Sequence, residues 1–246
     1  MSSIQDQDVK IPALESVAGG ASRRSFLRTA ATTAAAAVPA LGLATGTASL
    51  AAPKKNPNIT GNLTPNFVAN LIFEIMNDEA AHVPILQGKL NDSGNKLPFF
   101  IRPMPKLNMK ALVQPNVMSF LENAAAFENT GSGTYGGALF AIQQTDEYFR
   151  TAVGLCTVES RHASFLNAIL GEPLLTDFVP VEAPISQDIT LSRVAPFVAD
   201  PIVGFPSFDP INASDPNNFR ILDFLLFLEY IESAYYKVNV PRFFHM

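Results

Sequence analysis

The chain has 246 residues, 48% of them hydrophobic and 16% charged, which supplies one sizeable core and excludes a disordered or fibrous chain. A formal net charge of -5 offers no basic surface for nucleic acid. A single cysteine, Cys156, excludes an internal disulfide framework.

Residues 1–51 read as a signal peptide. Ser22-Arg23-Arg24-Ser25-Phe26-Leu27-Arg28 is a basic stretch with paired arginines of the twin-arginine type. A mild Ala/Thr-rich run follows, broken by Pro39 and glycines. The expectation is export to the periplasm or the extracellular space. A membrane anchor or an organelle-targeting peptide stays open as an alternative, although Ala and Thr are weak membrane formers. Residues 52–63 form a polar linker, and 64–240 are the folded domain.

Thr64-Pro65 gives a cap followed by proline at the first helical position. Val68, Leu71, Ile72, Ile75, Glu79, His82, Ile85 and Leu86 then repeat at steps of three and four, predicting a helix over about 65–90 that Pro84 kinks or divides. Residues 91–110 read as an extended connection. Pro115 opens a second helix with Val117, Leu121, Ala124, Glu128 and Tyr135 near one face. Glycines 131, 133, 136 and 137 either admit close backbone approach there or weaken it. A third helix starts at Thr145-Asp146-Glu147, carries Tyr148, Ala152, Leu155, Glu159, His162, Leu166 and Ile169 as its stripe, and stops at Gly171. Residues 172–217 hold eight prolines and read as an extended wrap that is neither helix nor sheet. Asp215-Pro216 repeats the cap-plus-proline signal. Leu222, Leu225, Leu226, Glu229, Glu232, Ser233 and Tyr236 form a fourth helical face ending before Pro241. The fold class is therefore all-α, a four-helix bundle with a long Pro-rich extended segment between the third and fourth helices.

Two of these helices contain Glu-x-x-His: Glu79 with His82, and Glu159 with His162. Positions i and i+3 share a face, and both pairs continue the apolar stripe. Burying ionised carboxylates without partners costs several kcal/mol each, and a pair of divalent cations compensates them. A dinuclear site in a bundle takes two Glu-x-x-His helices and one Glu from each of two others, a recipe the general chemistry of such bundles supplies. The second helix offers Glu128; the fourth offers Glu229, with Glu232 one turn on. The bland reading is that each Glu and His pair only hydrogen-bonds within or between helices. Glu74 and Glu122 read as solvated, His245 as unrelated and Asp78 as a surface or supporting salt bridge. Arg161 is either that or a partner for a ligand carboxylate. Tyr135 and Tyr236 point inward, as core or as donors, and Cys156 reads as a small buried hydrophobe.

The stretches NLIFEIMNDEAAHVPIL, FENTGSGTYGGAL, GLCTVESRHASFLNAILGE and RILDFLLFLEYIESAYY resemble the four helices of ferritin-like proteins of the desiccation-related type and their exported bacterial relatives. The resemblance covers about 64–240 and implies Glu79, His82, Glu128, Glu159, His162 and Glu229 as metal ligands. Glu229 is preferred over Glu232 because it stands seven before Tyr236, as the ligand does in similar helices. In relatives the Leu-Glu-Tyr-Leu-Glu helix comes first; here it comes last, so the chain looks circularly permuted. Geometry permits this. A helix of about 25 residues spans roughly 37 Å, and the wrap could reach roughly 150 Å if extended. The fourth helix then either packs within its own chain or swaps into a partner.

The expected cofactors are two divalent metal ions, Fe or Mn, with Zn also compatible with carboxylate and imidazole. The expected partners are the metal ions and dioxygen or peroxide, with no nucleic acid and no stable membrane span after signal removal; a homo-oligomer stays open. The leading expectation is a di-metal oxidoreductase, catalase-like or oxidase-like. The alternative is a stress- or desiccation-associated structural or binding protein with a structural or vestigial metal site. A ferritin-type iron store ranks below both.

Overall fold

The computed structural model describes residues 65–92, 102–142, 147–175, 180–202, 205, 207, 209 and 214–244. The expected signal peptide (1–51), the linker (52–63), Thr64, Thr145-Asp146 and His245 lie outside the described residues. The helices are α1 (Pro65–Asp92), α2 (Met109–Leu112), α3 (Val117–Ala138), α4 (Glu147–Leu170), α5 (Gln187–Val194) and α6 (Asp215–Phe243).

α3 begins two residues later than Pro115 suggests, because the Asn116 side chain accepts a hydrogen bond from the Ser119 backbone N–H and caps the helix. α4 stops as expected. Gly171 takes φ +78°, and the Gly171 and Glu172 amides bond back to Ala168 and Asn167 carbonyls, closing the last turn. At the start of α6 the capping position is Ser214, not Asp215, with Pro216 tolerated in the first turn.

Neither Pro84 nor Pro241 divides or ends its helix. α1 runs undivided through Pro84, and α6 continues past Pro241 to Phe243. Both prolines are exposed, so the backbone carbonyl each one orphans, four residues earlier, lies toward the solvent side of its helix.

The four long helices form the bundle. α1 packs along α6 and α3 along α4, with α3 against α6 and α1 against α4 joining the two pairs. The core runs through all four: Ile72, Ile75 and Leu86 of α1, Phe120 and Tyr135 of α3, Leu155 and Leu166 of α4, and most of α6. α6 is the most enclosed element, with every residue from Ile221 to Glu229 buried. It is therefore not the one-faced helix that a stripe of Leu222, Leu225 and Leu226 suggests: Phe224, Phe227 and Leu228 are inside as well. A segment apolar on all sides is stable only when covered on all sides.

The Pro-rich stretch also departs from expectation, since α5 lies within it. Residues 187–194 contain no proline, Ser186 accepts from the Ile189 N–H as a cap, and Pro196 follows near the end. This stretch lies on α3. Ile185 N–H donates to the Gly133 carbonyl (2.8 Å), Ser132 Oγ to Glu182 Oε2 (2.7 Å), and the Thr134 and Thr190 hydroxyls meet at 2.7 Å. Its far end pairs with residues 106–108 through the Leu107–Val198 bridge. Among the described residues no helix is long and apolar enough to cross a membrane.

Candidate metal centre

Each of the four long helices brings a carboxylate to the middle of the bundle. Glu79 and His82 come from α1, Glu128 from α3, Glu159 and His162 from α4, and Glu229 from α6. All six side chains are buried, the four glutamates at 0% exposure, His82 at 3% and His162 at 7%. The structure therefore brings together every residue that the two motifs and their two extra glutamates single out.

The geometry divides the six into two overlapping groups. Glu79, His82, Glu159 and Glu229 each offer a ligand atom within 4.8 Å of the others, and so do Glu79, Glu128, Glu159 and His162. Glu79 and Glu159 are common to both. His82 Nδ1 lies 3.1 Å from Glu229 Oε2, 3.2 Å from Glu159 Oε1 and 3.5 Å from Glu79 Oε2. His162 Nδ1 lies 3.1 Å from Glu79 Oε1 and 3.2 Å from Glu128 Oε2. The two rings are near parallel, with centroids 6.3 Å apart. Both imidazoles thus aim the same nitrogen inward. His162 holds its other one, Nε2, 3.2 Å from Asp78 Oδ2, a partner of the kind that fixes ring orientation and tautomer.

Two tyrosines complete the arrangement. Tyr135 OH on α3 donates to Glu229 Oε1 on α6, and Tyr236 OH on α6 donates to Glu128 Oε1 on α3, both at 2.5 Å. Each tyrosine stands seven residues after the glutamate of its own helix and serves the glutamate of the other. They are core residues and donors at once.

Hydrogen bonding does not satisfy this cluster. The four glutamates present two oxygens each, and the donors facing them are two hydroxyls and two imidazole nitrogens, each with one proton at most. Glu79 Oε2 and both oxygens of Glu159 are buried without a hydrogen-bond partner. Glu159 Oε1 is near His82 Nδ1, but outside hydrogen-bonding geometry. Orphaned buried carboxylate oxygens are rare and costly, and oxygens and imidazoles converging at this spacing are the donor set of a metal site. The residues present fit metal ions.

Electrostatics report the same deficit. Burial and the neighbouring Glu128 and Glu229 carboxylates push Glu79 up to about 7. Burial and the Glu79 carboxylate push Glu159 well above the usual range. Burial alone would lower the His162 pKa, but hydrogen bonds to Glu128 and Glu79 carry it up to about 11. His82 moves the same way: the Glu229 carboxylate and the adjacent Glu159 and Glu79 carboxylates outweigh burial. Without cations, burial and mutual repulsion favour the protonated forms of Glu79 and Glu159.

The other candidates sort by exposure. Glu74 and Arg161 are exposed, so Arg161 is turned to solvent, away from the centre. Asp78 is the supporting partner of His162. Cys156 is half-buried, not enclosed, with its Sγ 3.8 Å from the Ser132 carbonyl. Sequence reasoning passed over Glu232. This residue is 2% exposed, one turn beyond Glu229, and its Oε2 has no partner. Its i,i+3 spacing from Glu229 was the available signal.

No curated protein and no solved structure matches the chain. The ferritin-like domain family matches residues 44–172, more than half of the sequence, which takes in α1, α3 and α4 with both Glu-x-x-His motifs and ends before α6. A helical bundle whose four long helices converge on buried Glu and His, matched over that span, belongs to the ferritin-like domain family.

Proposed function

We propose that this is an exported ferritin-like protein holding a dinuclear centre of Fe or Mn, with Glu79, His82, Glu128, Glu159, His162 and Glu229 as ligands and an oxidoreductase or peroxide-detoxifying role. One observation carries the reading: Glu79 and Glu159 belong to both four-residue groups and contain three buried oxygens without hydrogen-bond partners. Carboxylates shared between two clusters are suited to bridging two ions. His82 with Glu229 would complete one position, and His162 with Glu128 the other. Bound there, a redox-active pair supplies Lewis acidity and electron transfer toward dioxygen or peroxide.

The protein's own residues do the rest. Tyr135 and Tyr236 hold one oxygen of each non-shared glutamate, leaving the other free to face the centre. Asp78 keeps the proton of His162 on Nε2, which frees the Nδ1 lone pair. The apolar length of α6 excludes water from one side and strengthens every electrostatic interaction inside. In this reading α6 stands where the first helix of relatives stands, and the family match ending at residue 172 is what a displaced fourth helix produces. The paired arginines Arg23 and Arg24 support the export proposal.

A second reading, a structural metal in a stress- or desiccation-associated binding protein, draws on the enclosure of the site, with no ligand above 7% exposure. Metal analysis and turnover separate the readings in order. After anaerobic loading the chain takes up about two equivalents of Fe or Mn. Glu159→Ala combined with His162→Ala abolishes uptake while helical circular dichroism is retained. Unchanged metal content in that variant overturns the centre itself. Oxygen evolution from peroxide by the manganese form supports a catalase-like role, and a loaded protein without turnover leaves the structural reading.

A further inference from the structure

The centre is built on a repeated plan. A helix with Glu-x6-Tyr (Glu128 and Tyr135 on α3; Glu229 and Tyr236 on α6) is combined with a helix bearing Glu-x-x-His (α4; α1). The reciprocal Tyr-to-Glu hydrogen bonds, both 2.5 Å, relate the two halves as a pseudo-twofold pair. The plan is broken at one position. Three residues past its glutamate α6 has Glu232, whereas three residues past Glu128 α3 has Gly131.

These two residues meet. A methyl group on Gly131 would collide with Glu159 Oε2 and lie 3.4 Å from Glu232 Oε1, so both carboxylates reach the same bare stretch of α3. Glu232 belongs to neither four-residue group, yet it is 2% exposed and its Oε2 has no hydrogen-bond partner. A buried carboxylate with a partnerless oxygen, set beside two partnerless oxygens of another, is costly. The bare position on α3 lets Glu159 lie against that helix and leaves room for the fifth carboxylate beside it.

Resting on the dinuclear reading above, we infer that Glu232 is a fifth carboxylate ligand of the centre, beside the shared Glu159 and one turn beyond Glu229, so that it adds to the His82–Glu229 position and makes the two metal positions chemically unequal. The six-residue recipe is thereby extended to seven, with Gly131 as the residue that makes the seventh fit.

Cobalt(II) titration of the metal-free full chain, read by visible absorption and equilibrium dialysis, tests this. Wild type binds two Co(II) per chain. Glu232→Gln keeps the shape and removes the charge. It weakens one of the two ions by about tenfold or more and changes the absorption bands of that ion alone; Glu232→Asp falls between. Thermal melts of the same proteins guard against a folding effect. Metal-free Glu232→Gln melts at or above the wild-type temperature, because an uncompensated carboxylate has been removed, and gains less from cobalt. Two ions bound by Glu232→Gln with wild-type affinity and bands overturn this inference alone. A metal-free melting temperature well below wild type, with the cobalt-induced gain unchanged, overturns it in favour of a structural role. Wild type taking up no cobalt overturns the dinuclear reading as well.

Discussion

Asp78 and the two tyrosines show how far single side chains decide this site. Asp78 is 43% exposed at its side chain and contacts His162 Nε2. It supports His162 without being enclosed itself. Asp78→Asn is expected to lower metal affinity by about 10- to 100-fold, measured by competition with a chelator, with little change in the metal-free melting temperature. Tyr135→Phe and Tyr236→Phe each take a donor from a buried carboxylate, Glu229 and Glu128 respectively. Each should cost about 1.5–3 kcal/mol in urea unfolding of the metal-free protein. A cost near zero would show that other donors replace the hydroxyl. At this scale the two Glu-x-x-His pairs were fully legible, because i,i+3 spacing places both groups on one helical face. The Tyr–Glu bonds were not, since each crosses from one helix to another 94 or 108 positions away. Glu232 was legible in spacing, but ranking it against Glu229 as alternatives hid the option that both are inside.

Helices and their connections are governed by which face each proline or glycine occupies. Pro84 and Pro241 read as interruptions in sequence, yet both lie on exposed faces where a lost backbone bond is tolerated. The Pro-rich stretch reads as wholly extended, yet a proline-free window behind Ser186 is long enough for α5. Its contact with α3 depends on small residues. A methyl on Gly137 would collide with the Ile185 backbone, whereas one on Gly136 meets nothing within 4 Å. Gly137→Ala should therefore destabilise by about 1–3 kcal/mol through overpacking against an unyielding neighbour. Gly136→Ala should stabilise by about 0.5–1 kcal/mol through helix propensity. Equal effects of the two substitutions in denaturant unfolding would contradict the docking of residues 180–186 on α3. The sequence showed that this glycine cluster permits either close approach or a weakened helix; only the packing partner decides which.

The whole molecule couples a folded bundle to a cluster that is overloaded with acid. Glu79 is raised from 4.5 to about 7 and His162 from 6.5 to about 11. A group whose pKa rises on folding stabilises the fold fully below its unfolded value and loses that contribution as pH climbs through its folded value. Both groups have the same sign, so the metal-free protein is expected to lose stability between pH 5 and pH 8. The Glu79 shift acts across the lower part of that window, up to about pH 7. Metal binding runs the other way, because ligands must shed protons to accept cations, so affinity rises across the same window. Melting curves at pH 5 and pH 8 with and without Mn(II) check both signs at once. The four long helices and the buried carboxylates were legible at this scale from periodicity and the cost of burying charge; α5 and the all-round burial of α6 were not. The position of the fourth helix was not, because any segment apolar on all sides satisfies a core, wherever it falls in the chain order.

Anomalous diffraction from crystals grown with manganese tests the central claim most directly. Two peaks about 3.5–4 Å apart, lying between Glu79 and Glu159 and flanked by His82 and His162, are the predicted result. Manganese only at surface carboxylates, with the glutamate cluster closed on itself, would contradict it.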